Sequence, residues 1–238
     1  MRTALTMFAF LAMAGVVMAG SPPIPGDQIH TPQPCDFTAV CINWDFAVGP
    51  HGFTTATCDP TGGLAVWQYG PDASIPSPPS GTQDYWGTIL GASYASNAGE
   101  GLVSPPFTVA PDCFLMEVLH YYDIENNYDG GNVSVVGYPN TPIVPLGGYD
   151  ATISTSTSYY AYCVDLEMGF TDDTLGAWIV DCWDLSAYMG QTIQVSFDFG
   201  SDSSVTYPGW YLAYVKIGTN QPIAADPSTW GRVKSLYR

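Results

Sequence analysis

The chain has 238 residues, 46% of them apolar and 14% aromatic, enough to bury a sizeable core. Its formal charge of −17, from 22 carboxylates against five Lys and Arg, disfavours nucleic acid and anionic lipid as partners and attracts cations, besides serving plain solubility. Six cysteines (Cys35, Cys41, Cys58, Cys113, Cys163 and Cys182) fit an oxidising compartment, and none stands at zinc-ligand spacing, so disulfides are expected in a pairing the sequence leaves open.

Residues 1–19 hold one charge, Arg2, and an apolar run to Met18, with Val17 and Ala19 placed as the small residues of a cleavage site. This reads as a secretory signal peptide, too short for a membrane span, and no later segment is long and apolar enough to be one. Residues 20–35 form a Pro-rich leader. From Asp36 onwards, short strand-like runs alternate with Gly, Pro, Asp and Ser turns. Strands are predicted at Thr38–Asp45, Leu64–Tyr69, Tyr85–Leu90, Phe107–Val109, Phe114–Ile124, Gly131–Tyr138, Ser158–Glu167, Trp178–Val180, Thr192–Phe199 and Gly209–Ile217. Many short strands without helical periodicity predict an all-β sandwich in a single domain.

Two runs define faces. In IQVSFDFG, Ile193, Val195, Phe197 and Phe199 alternate with Gln194, Ser196 and Asp198, which predicts one core face and one solvent face. In CFLMEVLHYYDIE both faces are apolar at first, so the strand begins deep in a sheet and emerges near Asp123. Beyond it, Asp129-Gly130-Gly131 predicts a tight hairpin turning on positive-φ glycines.

Six stretches, in order, carry a resemblance: Trp67–Pro71, Trp86–Tyr94, Leu102–Pro106, His120–Val135, Asp184–Asp202 and Pro208–Val215. Together they resemble the MAM-like, immune-inhibitor-A-type jelly-roll modules attached to many bacterial secreted proteins. The likeness covers about Asp36 to Gly218 and implies a jelly-roll β-sandwich in an accessory role. Such modules often end GWYIDDV, where a carboxylate helps hold a structural cation; this chain reads GWYLAYV, with Ala213-Tyr214 at that place. Oxygen donors for Ca²⁺ remain at Asp123, Glu125, Asn127 and Asp129, and at Asp198 and Asp202, without EF-hand spacing. The candidate metal set is Asp123, Glu125, Asp129, Asp198 and Asp202.

Catalytic patterns are incomplete. None of His30, His51 and His120 begins an H-E-x-x-H motif, and no G-x-S-x-G occurs. A glycosidase of the sandwich type would use Asp123 and Glu125, but Tyr121 stands where the leading acid belongs. His120, inside an apolar run, reads as a satisfied core histidine. Tryptophans Trp67, Trp86, Trp178, Trp183, Trp210 and Trp230 read as core bulk before they read as a glycan platform. Asn132-Val133-Ser134 is formally a glycosylation sequon in a predicted strand.

Residues 219–238 end in TWGRVKSLYR, a basic tail that resembles a short C-terminal sorting ending of some secreted bacterial proteins; docking on the acidic body is the alternative. The expected function is that of a secreted or cell-surface, non-catalytic binding or adhesion module for a surface glycan or protein, with a glycoside hydrolase and a purely structural component as the other readings. Ligand contacts are expected in the loop Ile75–Tyr85 and in the stretch Tyr121–Asp129, from Tyr85, Tyr121, Asp123, Glu125, Asn127, Tyr128 and Asp129, with Ca²⁺ as the one cofactor considered.

Overall fold

The computed structural model describes residues 30–58, 62–79, 81, 84–138, 142–154 and 161–221. The expected signal peptide, the leader before His30, and the tail from residue 222 with Trp230 lie outside the described residues.

Among these residues the chain forms β1 (Ala39–Asp45), β2 (Thr54–Ala56), β3 (Trp67–Pro71), β4 (Asp84–Thr88), β5 (Gly99–Val103), β6 (Phe107–Thr108) and β7 (Leu115–Asp123). It continues with β8 (Gly130–Val135), β9 (Ala151–Thr152), β10 (Met168–Gly169), β11 (Ile179–Asp184), β12 (Thr192–Ile193), β13 (Val195–Gly200) and β14 (Gly209–Thr219). Two short 3-10 turns, Phe46–Val48 and Ser186–Tyr188, are the helical elements described. The fold is all-β and antiparallel, as the strand pattern predicts.

One large sheet runs β11-β7-β14-β4-β3, with β1 also on β14, and the other β2-β5-β13-β8; β9 with β10 and β6 with β12 form two-stranded pairs. The long strand β14 lies along β7 on one edge and changes partner on the other: Tyr211 and Leu212 pair with β4, whereas Tyr214 to Thr219 pair with β1. The register slips between Leu212 and Tyr214, so one irregularity lets a single strand serve three neighbours. Apart from the consecutive pair β3 and β4, neighbours in these two large sheets are not consecutive in sequence, so the chain crosses repeatedly between the two layers.

The core fills the space between the sheets. Phe197 and Phe199 of β13 face Trp210 and Leu212 of β14, and Phe170 and Trp183 close the side; all are fully buried. Trp210 lies 5.8 Å from Phe197 and 5.7 Å from Trp67, ring centre to ring centre, so it spans both layers. Each such side chain contributes about 1.5–3 kcal/mol on burial, which makes this aromatic layer the main source of cohesion.

Three expectations are corrected. The segment Ser158–Glu167 is no strand where it is described: residues 161–167 turn, with Cys163 and Leu166 at φ of 70° and 61°, which an extended chain does not allow. Gly130 and Gly131 make no hairpin turn, because β7 and β8 belong to different sheets. Their lack of a side chain serves packing: a Cβ on Gly131 would lie 2.4 Å from Trp210 Cε3, and one on Gly130 would lie 2.3 Å from Ile153 Cδ1. Finally, β13 has no solvent face. Ser196 and Asp198 are buried, because the turn bearing Cys163 folds over that side of the sheet and is tied to Cys58. It approaches so closely that a Cβ on Gly99 would lie 2.5 Å from Tyr162 Cβ.

Three disulfides lock the fold: Cys35–Cys182, Cys41–Cys113 and Cys58–Cys163. They close loops of 147, 72 and 105 residues, so each removes much freedom from the unfolded chain.

Candidate metal centre

Strand β7 leaves the core at Asp123, and the chain then closes a tight turn. The N–H of Asp129 donates to the carbonyl of Glu125 at 3.2 Å, and Asn127 takes a φ of 65° in between. This closure lets the Glu125 and Asp129 carboxylates converge. Thr171 fixes the turn from outside, donating from Oγ1 to the Glu125 carbonyl and accepting the N–H of Asn127.

Asp202 arrives from the connection between β13 and β14. Its N–H donates to Asp129 Oδ1 at 2.6 Å, and its carbonyl accepts the N–H of Asn97 at 2.6 Å. The Tyr94 hydroxyl donates to Asp129 Oδ2 at 2.7 Å and accepts the N–H of Glu125 at 3.1 Å. Tyr94 is buried, its ring edge-on to Phe199 at 5.0 Å, so the core itself holds the hydroxyl in place.

Glu125, Asp129 and Asp202 thus each bring a carboxylate oxygen within 4.8 Å of the others. Glu125 Oε2 and Asp202 Oδ2 are buried and have no hydrogen-bond partner. Burial pushes the Asp129 carboxyl up to about 7, and the charges of Asp202 and Glu125 add to this against the bonds from Tyr94 and the Asp202 N–H. Glu125 is raised as well, by burial and by Asp202. Two partnerless oxygens facing like charges form a poor arrangement for protein alone and a good one for a cation. The donors are all oxygen, which fits hard Ca²⁺ or Mg²⁺; the three carboxylates supply part of the about six to eight oxygens Ca²⁺ takes, leaving room for water and carbonyls.

The other residues expected in this set lie elsewhere. Asp123 sits at the end of β7 opposite Asp173, and burial together with the charges of Asp173 and Asp172 raises its carboxyl. Asp198 is on the outer face of the other sheet, bonded by Ser134 and Ser196. Tyr214 pairs with Leu119, well inside the sheet, and donates its hydroxyl to Glu117 at 3.0 Å. The departure at Ala213-Tyr214 therefore leaves the three-carboxylate cluster untouched. Tyr94 escaped the reading of the sequence as a site residue; its place at the end of the Trp86–Tyr94 stretch was the one signal for it.

The expected ligand residues also divide. Tyr85 and Tyr121 are buried, against the expectation of a binding surface, because Trp178 and Ile75 pack over them and over Tyr211. Trp178 is pinned there by its indole N–H, which donates to the Pro76 carbonyl at 2.6 Å. Asn127 lines a polar recess of about 240 Å³ with Asn126, Asp150, Thr171, Asp172 and Asp173, and Tyr128 is exposed. His120 is fully buried: Trp210 Nε1 donates to its Nδ1 at 3.0 Å, so Nε2 carries the proton and donates to Asp181 at 2.9 Å. Both nitrogens are engaged in the core. Asn132, of the formal sequon, is buried with its amide on Glu167.

These features define a disulfide-locked, all-β sandwich with an inward acidic cluster at one end. No protein-family model matches the sequence. The chain is 28% identical over 170 residues to Bacillopeptidase F of Bacillus subtilis, a match that takes in 71% of this chain and 10% of that protein. Among solved structures it is similar to the K1 cleaved adhesin domain of Lys-gingipain from Porphyromonas gingivalis W83, with a TM-score of 0.43 and 16% identity over 76% of this chain and 98% of that one. The K3 cleaved adhesin domain of the same protein gives a TM-score of 0.40 and 18% identity, over 76% of this chain and all of that one.

Proposed function

We propose that this chain is an exported, non-catalytic binding or adhesion module for a surface glycan or protein, with Ca²⁺ bracing the end of the sandwich at Glu125, Asp129 and Asp202. The observation that carries the non-catalytic reading is that Asp123 and Glu125 belong to different carboxylate groups. A retaining glycosidase needs its two carboxyl groups about 5 Å apart across an open cleft. Here Glu125 turns inward to Asp129 and Asp202, whereas Asp123 belongs with Asp172 and Asp173. The buried histidines serve structure in the same way.

Three disulfides support an extracytoplasmic place, as does the signal-like start of the chain. The match to a tenth of Bacillopeptidase F supports a part that recurs within a larger protein. No described helix is long and apolar enough to cross a membrane.

The test is a binding survey with the purified full chain, against immobilised polysaccharides, extracellular proteins and whole bacterial cells, with Ca²⁺ and with EDTA. Saturable binding without turnover is expected. Release of reducing sugars or peptides above a heat-killed control overturns the non-catalytic reading.

A further inference from the structure

The outer face of the sheet β2-β5-β13-β8 is the side of a sandwich that water ordinarily covers. Here it is the floor of a recess of about 290 Å³, at the small end of the range of ligand pockets. The Cys58–Cys163 bridge and Glu167 wall one side, and Tyr138 stands at the other.

The floor is polar and preorganised. Asp198, nine-tenths buried, accepts from Ser134 Oγ at 2.6 Å and from Ser196 Oγ at 2.5 Å. Each of its oxygens keeps a second lone pair for another donor. Gly101 leaves room beside the carboxylate, since a Cβ there would lie 2.5 Å from both Asp198 Oδ1 and Ser196 Oγ. On the neighbouring strand, outside the lining itself, Asn132 donates from Nδ2 to Glu167 Oε2 at 2.8 Å and so steadies that lining carboxylate. At the rim Tyr138 is 45% exposed, yet its ring is braced edge-on by Tyr188 and its hydroxyl bonds to Gln191.

The chemistry of this lining selects its occupant. Among the described residues no Lys or Arg lines the recess, so an anion finds no counter-charge there. The lining is rich in acceptors, including the Ser134 and Ser196 oxygens whose protons go to Asp198, carries no positive charge among the described residues, and has an aromatic side chain beside it. A molecule with several O–H donors, no net charge and an apolar C–H face meets all three conditions. We propose that this recess over β5, β13 and β8 is a saccharide site, taking a neutral sugar unit through hydroxyl hydrogen bonds to Asp198 and Glu167 and by stacking on Tyr138. It rests on the binding-module reading above and gives that reading a location and a ligand class. A lysine side chain of a protein partner would satisfy the carboxylates but presents its three donors from a single atom, whereas a sugar spaces its hydroxyls around a ring.

The experiment is an array of neutral oligosaccharides (glucose, galactose, mannose, xylose and N-acetylglucosamine series), followed by calorimetric titration of the best binder. The full chain is compared with Ala56→Trp, Tyr138→Ala and Asp198→Asn. Ala56 and Tyr138 are exposed lining residues, so these two variants keep the wild-type melting temperature and remain informative if Asp198→Asn folds poorly. Ala56→Trp fills the recess and abolishes binding, and Asp198→Asn weakens it about ten- to a hundredfold, the loss of a charge-assisted hydrogen bond. Sugar binding that survives Ala56→Trp overturns this site and leaves the module reading standing. Binding of a lysine-rich peptide, and of no sugar, that is blocked by Ala56→Trp overturns the ligand class. If the chain binds no sugar, protein or cell surface, both readings fall together.

Discussion

His30 and Asp181, 151 residues apart in the chain, meet at 2.9 Å through Nε2 and Oδ2. The other ring nitrogen of His30 faces Tyr122 and Asp150, so both nitrogens act as donors and the ring is an imidazolium. Burial opposes its charge, but the bonds to Asp150 and Asp181 outweigh burial and push its pKa up to about 9. For Asp181, burial is likewise outweighed by His120 and His30, which hold its carboxyl well below the usual range. A histidine raised in the folded state stabilises fully below its unfolded pKa, about 6.5, and loses that contribution as pH rises through 9. The melting temperature should therefore fall between pH 6.5 and 9.5. The loss is about 1–2 kcal/mol, less than the full shift because the entering segment lies near solvent. His30→Gln should flatten this dependence, as read by thermal melts across pH; an equally steep fall in the variant would assign the effect to other groups.

The same entering segment is bound covalently. Cys35, five residues after His30, bridges to Cys182 on β11, one residue after Asp181, and its N–H donates to Glu117 at 3.0 Å. Replacing both cysteines by serine should cost about 2–5 kcal/mol, because the bridge closes a long loop. Urea midpoints measure this. In the double variant the His30 dependence on pH should also weaken, since the ion pair then has to order a freer segment.

Gly131 marks where the reading of the sequence reached its limit. Alternating runs such as Val195–Phe199 and the apolar stretch through Leu115 made an all-β sandwich legible, because a period of two and burial leave the same trace in any sequence. The partner of each strand left no such trace. A glycine pair between two strands reads equally well as a turn or as a close approach, and the structure takes the second: β7 and β8 part into different sheets, and Gly131 makes room for Trp210. The buried Tyr85 and Tyr121 were misplaced for a similar reason, since only the fold shows that Trp178 covers them. Gly131→Ala should destabilise by about 1–3 kcal/mol through overpacking against Trp210. It should also alter the near-ultraviolet circular dichroism of that indole, whereas an unchanged spectrum and midpoint would mean that the strand shifts freely.

Of the five carboxylates expected to hold a cation, three converge, and what separates them from Asp123 and Asp198 is a turn that no spacing rule reveals. Glu125 and Asp129 share a side because the Asp129 N–H closes on the Glu125 carbonyl, and Asp202 joins them through its own N–H on Asp129. With cation bound, the stabilisation grows with its concentration, about 2.7 kcal/mol at a hundred times Kd. Calcium should thus raise the melting temperature of the EDTA-treated protein by about 5–10 °C. Asp202→Asn keeps the backbone bond to Asp129 but removes one charge from the cluster. In EDTA this variant should melt at or above the wild type, because like charges no longer oppose folding, and calcium should then add little. That inversion separates a cation site from a merely structural acidic cluster. A protein indifferent to calcium, with Asp202→Asn less stable than wild type in EDTA, would show that the carboxylates hold one another through protons and hydrogen bonds instead.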